Sequence, residues 1–188
     1  MNPKKNEAHR HWIFLRGLTR GRGHWGAFPE LFKKEFSQDE LTFLDLPGNG
    51  EENHLQSPWA LPDYVEFLRR RLRGKNEGFP SVNVVALSLG AMVVLEWMKL
   101  YPGEIEKAFL VNTSLHGSGK FFDRLRPENY LKIFQAITTK DVFEREKITL
   151  AITSRNLKVQ EQWLETFAAY SKAHPIAVEN LVRQLAAA

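Results

Sequence analysis

The stretch from Ser81 to Leu100 limits the fold more than any other part of the chain. Val82 to Leu87 is a short run rich in β-branched residues, which predicts a buried strand. Leu89 to Leu100 carries apolar residues at helical spacing. Between them stands Ala86-Leu87-Ser88-Leu89-Gly90, a serine between small residues at a strand-to-helix junction. This is the G-x-S-x-G elbow with Ala in its first position, a turn so tight that a larger flanking side chain would meet neighbouring backbone. It pushes a serine Oγ out at the carboxyl edge of a sheet, beside the amino end of a helix. A single apolar helix or membrane span fits less well. Asn83, Ser88, Glu96 and Lys99 interrupt the run, and its apolar period changes at the serine. Taken alone, an ordinary βα turn with a filler serine remains open.

The length of 188 residues suits one domain with a sizeable core. Apolar residues make up 43% and charged residues 26%, the balance of a soluble globular protein. The net charge is +4, with basic residues scattered apart from Arg69-Arg70-Arg71-Leu72-Arg73, which reads as the solvated end of a helix. The aromatic and glycine signatures of nucleic-acid modules are missing around it, so no nucleic-acid partner is expected. There are no cysteines, which excludes disulfides, thiolate metal sites and cysteine nucleophiles. The amino terminus is polar, and the apolar run Trp12 to Leu15 is too short for a signal peptide. A cytoplasmic location away from membranes is the default expectation.

A first strand, His11 to Arg16, leads through Gly17 into the Gly-rich loop Leu18 to Gly26. A helix follows from Phe28 to Phe36, with Pro29 in its first turn. Gly21, Gly23 and Gly26 meet the G-x-G-x-x-G spacing of a dinucleotide loop, and Asp45 ends the next strand, Leu41 to Asp45, about twenty residues on. Against that reading, the loop is long and basic, and Asp45 runs straight into the tight turn Leu46-Pro47-Gly48-Asn49-Gly50. A nucleotide-binding domain therefore stands only as a second alternative. A helix from Leu61 to Arg73 precedes the central strand, and another strand, Lys107 to Asn112, follows the central helix. The βαβαβαβ order predicts an α/β fold, a mostly parallel sheet with helices on both faces. Beyond Asn112 the pattern turns helical: 129–138, 141–153, 159–171 and 175–187, with 148–153 the only run that could also be read as strand.

Three motifs in order carry a resemblance. Leu15-Arg16-Gly17-Leu18-Thr19 resembles the oxyanion turn of the α/β-hydrolase fold family, with Arg16 where His is usual. Asp45-Leu46-Pro47-Gly48-Asn49-Gly50 resembles its Asp-x-Pro-Gly-x-Gly turn, with Asn49 where His is frequent. The third is the elbow around Ser88. The chain is thus similar to the amino-terminal two thirds of a small carboxylesterase-like member, with a core over 1–117 and a helical cap over 118–188. The resemblance implies a serine hydrolase acting on an ester or related acyl substrate through an acyl-enzyme. Ser88 would be its nucleophile, and the backbone N–H groups of Leu18 and Leu89 its oxyanion donors. It implies no cofactor and no metal; its partner is a small acyl substrate with an apolar portion. Phe121, Phe122, Tyr130, Phe134, Trp163, Phe167 and Tyr170 are available to line an acyl pocket, though cap packing accounts for most of them.

The resemblance also exposes a gap. The family order is Ser, then Asp or Glu, then His, the last two after strands beyond the cap, and neither strand is found here. Of the six histidines, His116 follows the strand next to the elbow and is the nearest candidate base. His24 shapes the pocket, His11 precedes a strand, and His54 and His174 read as surface positions. The final strand would expose an edge and apolar surface. We therefore expect a sequence truncated before the acid and base, or a second chain that completes the sheet. A non-catalytic binding protein is the first alternative.

Overall fold

The computed structural model describes residues 9–73, 81–113 and 127–188. Its four strands are β1 (His11–Leu15), β2 (Glu40–Leu44), β3 (Val82–Leu87) and β4 (Ile105–Val111). All pair in parallel in the order β2-β1-β3-β4. Three helices alternate with them: α1 (Phe28–Glu35), α2 (Leu61–Leu72) and α3 (Leu89–Leu100). Four more follow: α4 (Tyr130–Thr138), α5 (Val142–Thr153), α6 (Leu157–Ala173) and α7 (Val178–Ala187). The predicted element types hold throughout, and the ambiguous run 148–153 is helix. Its neighbours decide this: Asp141 caps the helix by accepting from the Phe143 and Glu144 N–H groups.

The alternation of side chains along each strand divides the core into two layers. Ile13, Leu15, Val84 and Ala86 face α2 and α3, where Tyr64, Val65, Leu68, Val94 and Trp97 complete the larger cluster. Trp12, Phe14 and Val85 face the other way, with Trp25, Phe32 and Phe43 packed on them. Phe14 stacks on Phe43 at 4.5 Å and meets Phe32 edge-on at 5.1 Å. This is the doubly covered parallel sheet that the βαβ order predicts. At the β4 edge, Phe109 is 56% and Val111 43% exposed, the apolar surface expected there.

One surface reading is corrected. Arg69 does not lie on a solvated helix end; it is buried. Its guanidinium donates to Glu104 at 2.9 and 2.7 Å and lies 3.3 Å from the centre of the Tyr101 ring. The Trp97 indole N–H also donates to Glu104, at 2.8 Å. These bonds hold α2 and α3 to the turn that opens β4. Arg71 does stay exposed, paired with Glu52. The periodicity of α2 hides the difference, because Arg69 follows the apolar Leu68 on the inner face and its partner comes from far along the chain.

Glu104→Ala, which removes the acceptor of three of these bonds, should cost about 3 kcal/mol in urea unfolding. Glu104→Gln, which can still accept from Trp97, should cost less. A loss under about 0.5 kcal/mol for Glu104→Ala would show that the pair does not hold the helices.

Candidate active site

The elbow owes its shape to one close approach. A Cβ built on Gly90 would lie 2.5 Å from the Arg16 carbonyl oxygen, so only glycine lets the first turn of α3 pass the end of β1. Ser88 accordingly has φ +52° and ψ −122°, a conformation that non-glycine residues rarely adopt. Its N–H is tied to the Val111 carbonyl at 2.9 Å, and its carbonyl accepts from Ala91 and Met92. The neighbours Leu87 and Leu89 turn inward, while Ser88 is exposed. Local strain at an exposed serine, over-determined by buried surroundings, is what a functional turn looks like.

The loop after β1 faces this turn. A Cβ on Gly17 would lie 2.7 Å from Ser88 Cβ and 3.3 Å from the Leu89 nitrogen. From Gly17 the chain makes a β-turn closed by Arg20 N–H to the Gly17 carbonyl at 3.1 Å. Thr19 has φ +57° in its third position, the type II signature. Such a turn leaves the N–H of its second residue, Leu18, unused. Among the described residues, neither the Leu18 nor the Leu89 N–H has a hydrogen-bond partner.

Two buried amides hold that turn. The Asn49 side chain donates to the carbonyls of Gly17 (3.2 Å) and Arg20 (3.3 Å). Gln184, on α7, accepts from the Thr19 N–H at 3.0 Å and donates to Asn49 Oδ1 at 2.7 Å and Ser57 Oγ at 3.0 Å. Both residues are fully buried. The sequence marks Asn49 through its departure from the family turn; nothing marks Gln184, which lies 165 residues from Thr19.

Beside the loop lies a second buried polar chain. Arg20 donates to Glu146 Oε2 at 2.5 Å, and the Ser171 hydroxyl donates to Glu146 Oε1 at 2.7 Å. That direction makes Ser171 Oγ the acceptor for His24 Nε2 at 3.1 Å, while His24 Nδ1 accepts from the Gly21 N–H at 3.1 Å. His24 is therefore the neutral Nε2–H tautomer. Burial, then the Arg20 and Arg16 charges, push its pKa from 6.5 to about 2. Glu146 Oε1 lies 3.9 Å from His24 Nε2, but its charge is already shared between Arg20 and Ser171, so burial prevails. Burial likewise lowers Arg20, with Glu146 opposing.

A cavity of about 290 Å³ lies between the Leu18–Gly21 loop and the helices α4 to α7. Ile133, Ile137, Ile152 and Leu181 give it an apolar wall, and Arg20, His24 and Glu146 a polar floor. Ser88 does not line it; Leu18 and Thr19 connect the two. Of the predicted aromatics among the described residues, only Tyr170 lines this cavity. Trp163 packs on Gly26, and Phe167 meets His24 at 5.2 Å, while Phe134 is exposed. Phe121, Phe122 and His116 lie outside the described residues.

The glycine loop is not a phosphate cradle. A Cβ on Gly23 would lie 2.4 Å from the Tyr170 ring, and one on Gly21 would lie 2.7 Å from the Tyr170 hydroxyl. The glycines make room for α6. Asp45 accepts from the Arg22 N–H (2.5 Å), the Glu51 N–H (2.8 Å) and the Tyr170 hydroxyl (3.3 Å), which leaves little to offer a ribose. Burial raises its pKa against these bonds. His174 is also not a plain surface residue: it accompanies Tyr170 at 4.4 Å and lines the cavity. His11 bonds Thr42, and His54 is exposed. Among the described residues no three His, Asp or Glu side chains converge as a metal site would need, and no helix is long and apolar enough to cross a membrane.

The profile of the alpha/beta hydrolase family matches residues 12–186. The chain belongs to that family. No curated protein sequence matches it. Among solved structures it resembles a carboxylesterase of the ammonia-oxidizing thaumarchaeon Nitrososphaera gargenis, with TM-score 0.68 and 18% identity over 95% of this chain and 63% of that one. A hydrolase from Pseudomonas aeruginosa gives TM-score 0.62 at 20% identity, over 95% and 63% of the two chains. A marine microorganism esterase gives 0.63 at 14%, over 97% and 71%. The chain thus spans less than two thirds of the first two, and the likeness is one of fold.

His24 fixes the sign of an acid dependence. The unfolded chain binds a proton near pH 6.5 that the folded chain refuses until about pH 2. The contribution is complete above pH 6.5 and is lost as pH falls below it. Between pH 7 and pH 5 the loss should be about 2 kcal/mol in urea unfolding, and largely absent in His24→Gln. An equal slope in both proteins would place His24 in a protonatable setting.

Proposed function

We propose that the protein is a serine hydrolase that cleaves an ester or related acyl bond through an acyl-enzyme on Ser88. The observation that carries this reading is the elbow: an exposed serine at φ +52°, followed by the unengaged Leu89 N–H and packed against Gly17, whose turn leaves the Leu18 N–H unengaged. Ser88 Oγ attacks the acyl carbon, and the carbonyl electron pair moves to oxygen. The developing oxyanion is met by the two N–H groups, each worth roughly 3 kcal/mol in the transition state. Leu89 also opens α3, whose dipole favours negative charge there. Collapse expels the alcohol and leaves the Ser88 ester, which water then hydrolyses by the same steps.

The Ser88 proton requires a base. Among the described residues no histidine hydrogen-bonds Ser88. The family order assigns base and acid to strands that follow the cap. Asn49 and Gln184 act here as holders of the oxyanion turn. The apolar cavity beyond Leu18 suits the non-polar part of a substrate.

A fluorophosphonate probe should label the full-length protein on Ser88, and labelling should vanish in Ser88→Ala. Labelling that survives the substitution would overturn the assignment. Absence of labelling in both proteins would favour a non-catalytic binding role.

A further inference from the structure

Arg16 is the residue that the proposed mechanism leaves idle. It follows the last residue of β1, and its carbonyl is the atom against which Gly90 is packed, so it stands beside the elbow at the carboxyl edge of the sheet. The strand alternation turns its side chain toward the α1 face, where the guanidinium lies 5.2 Å from the centre of the Trp25 ring. Its Nε is buried and has no hydrogen-bond partner. No carboxylate among the described residues pairs with it, in contrast to Arg10, Arg20, Arg22, Arg69, Arg71 and Arg183. Burial and the neighbouring Arg20 charge lower its pKa to about 10, so it remains a cation at neutral pH.

The residue beneath it has the same deficiency. Trp25 is 9% exposed, held by Phe14 edge-on and Phe28 stacked, and its indole N–H is buried without an acceptor. Two adjacent donors, one of them charged, therefore lack any acceptor. Leaving such groups unpaired is costly. Arg16 as a whole is only partly buried, so its guanidinium is open to a partner from outside beside the elbow, and its planar fork matches a carboxylate.

We infer that the Arg16 guanidinium, held over the Trp25 ring, binds a carboxylate that the substrate carries in addition to its scissile acyl bond. The substrate class is then an anionic ester or related acyl compound, such as the monoester of a dicarboxylic acid. The aliphatic cavity beyond Leu18 accommodates its apolar portion. This assignment rests on Ser88 as the nucleophile for turnover, but the binding itself does not.

The test separates the two. Monomethyl adipate should bind the Ser88→Ala protein in isothermal titration, with affinity reduced about tenfold to a hundredfold in Ser88→Ala/Arg16→Gln. Dimethyl adipate should bind alike with and without Arg16. In the Ser88 protein, kcat/KM for the 4-nitrophenyl monoester of adipic acid should exceed that of its methyl-capped counterpart, and Arg16→Gln should cut that ratio at least about tenfold. Equal binding of the mono- and dimethyl esters, or an unchanged ratio in Arg16→Gln, would overturn the inference. So would inorganic phosphate that binds as tightly as the carboxylate. Binding of monomethyl adipate without turnover by the Ser88 protein would sustain the site and refute the hydrolase reading.

Discussion

The contact between Gly90 and the Arg16 carbonyl governs the structure. It brings the first turn of α3 against the end of β1, and so brings the elbow against the loop that follows β1. With the Ser88 N–H fixed to Val111, the serine has no relaxed conformation available and stands at φ +52°. The strain is local, of order 1–3 kcal/mol, and is carried by the buried layers on either side of the sheet. Those layers also hold the turn after Gly17, whose Leu18 N–H is unengaged, against the elbow, whose Leu89 N–H is unengaged too.

The helices α4 to α7 are more than a cover. Gln184 reaches from α7 to the Thr19 N–H and to Asn49, and Asn49 closes the same turn from below. On the other side Glu146 and Ser171 hold Arg20 and His24. The Leu18–Gly21 loop is therefore clamped from two sides by buried polar groups, whose loss would leave unpaired donors in the interior. A loop rich in glycine becomes rigid through its partners rather than through its own residues.

Much of this was legible in the residues. Val82–Leu87 and Leu89–Leu100 could be delimited because the apolar period changes at Ser88, and the βαβ alternation dictated the parallel sheet. The ordered turns around Gly17, Asp45 and Ser88 pointed to the family that the profile identifies. Buried polarity was not legible. Arg69, Glu146 and Gln184 look like ordinary surface residues, because burial of a polar side chain depends on partners far away in sequence. The glycine loop misled for the same reason: Gly21, Gly23 and Gly26 fit a phosphate spacing, but their space belongs to Tyr170 and Trp163. The histidines among the described residues gave no base. The one in the loop, His24, is a neutral buried strut, which only the Arg20–Glu146–Ser171 chain makes visible.

The account turns on where an oxyanion would sit. A crystal structure of the full-length protein inactivated by an alkyl phosphonate addresses this directly. The account predicts a covalent bond from Ser88 Oγ to phosphorus, with the phosphonyl oxygen within about 3 Å of both the Leu18 and the Leu89 nitrogen. An adduct on another residue, or a phosphonyl oxygen turned away from these two N–H groups, would contradict it.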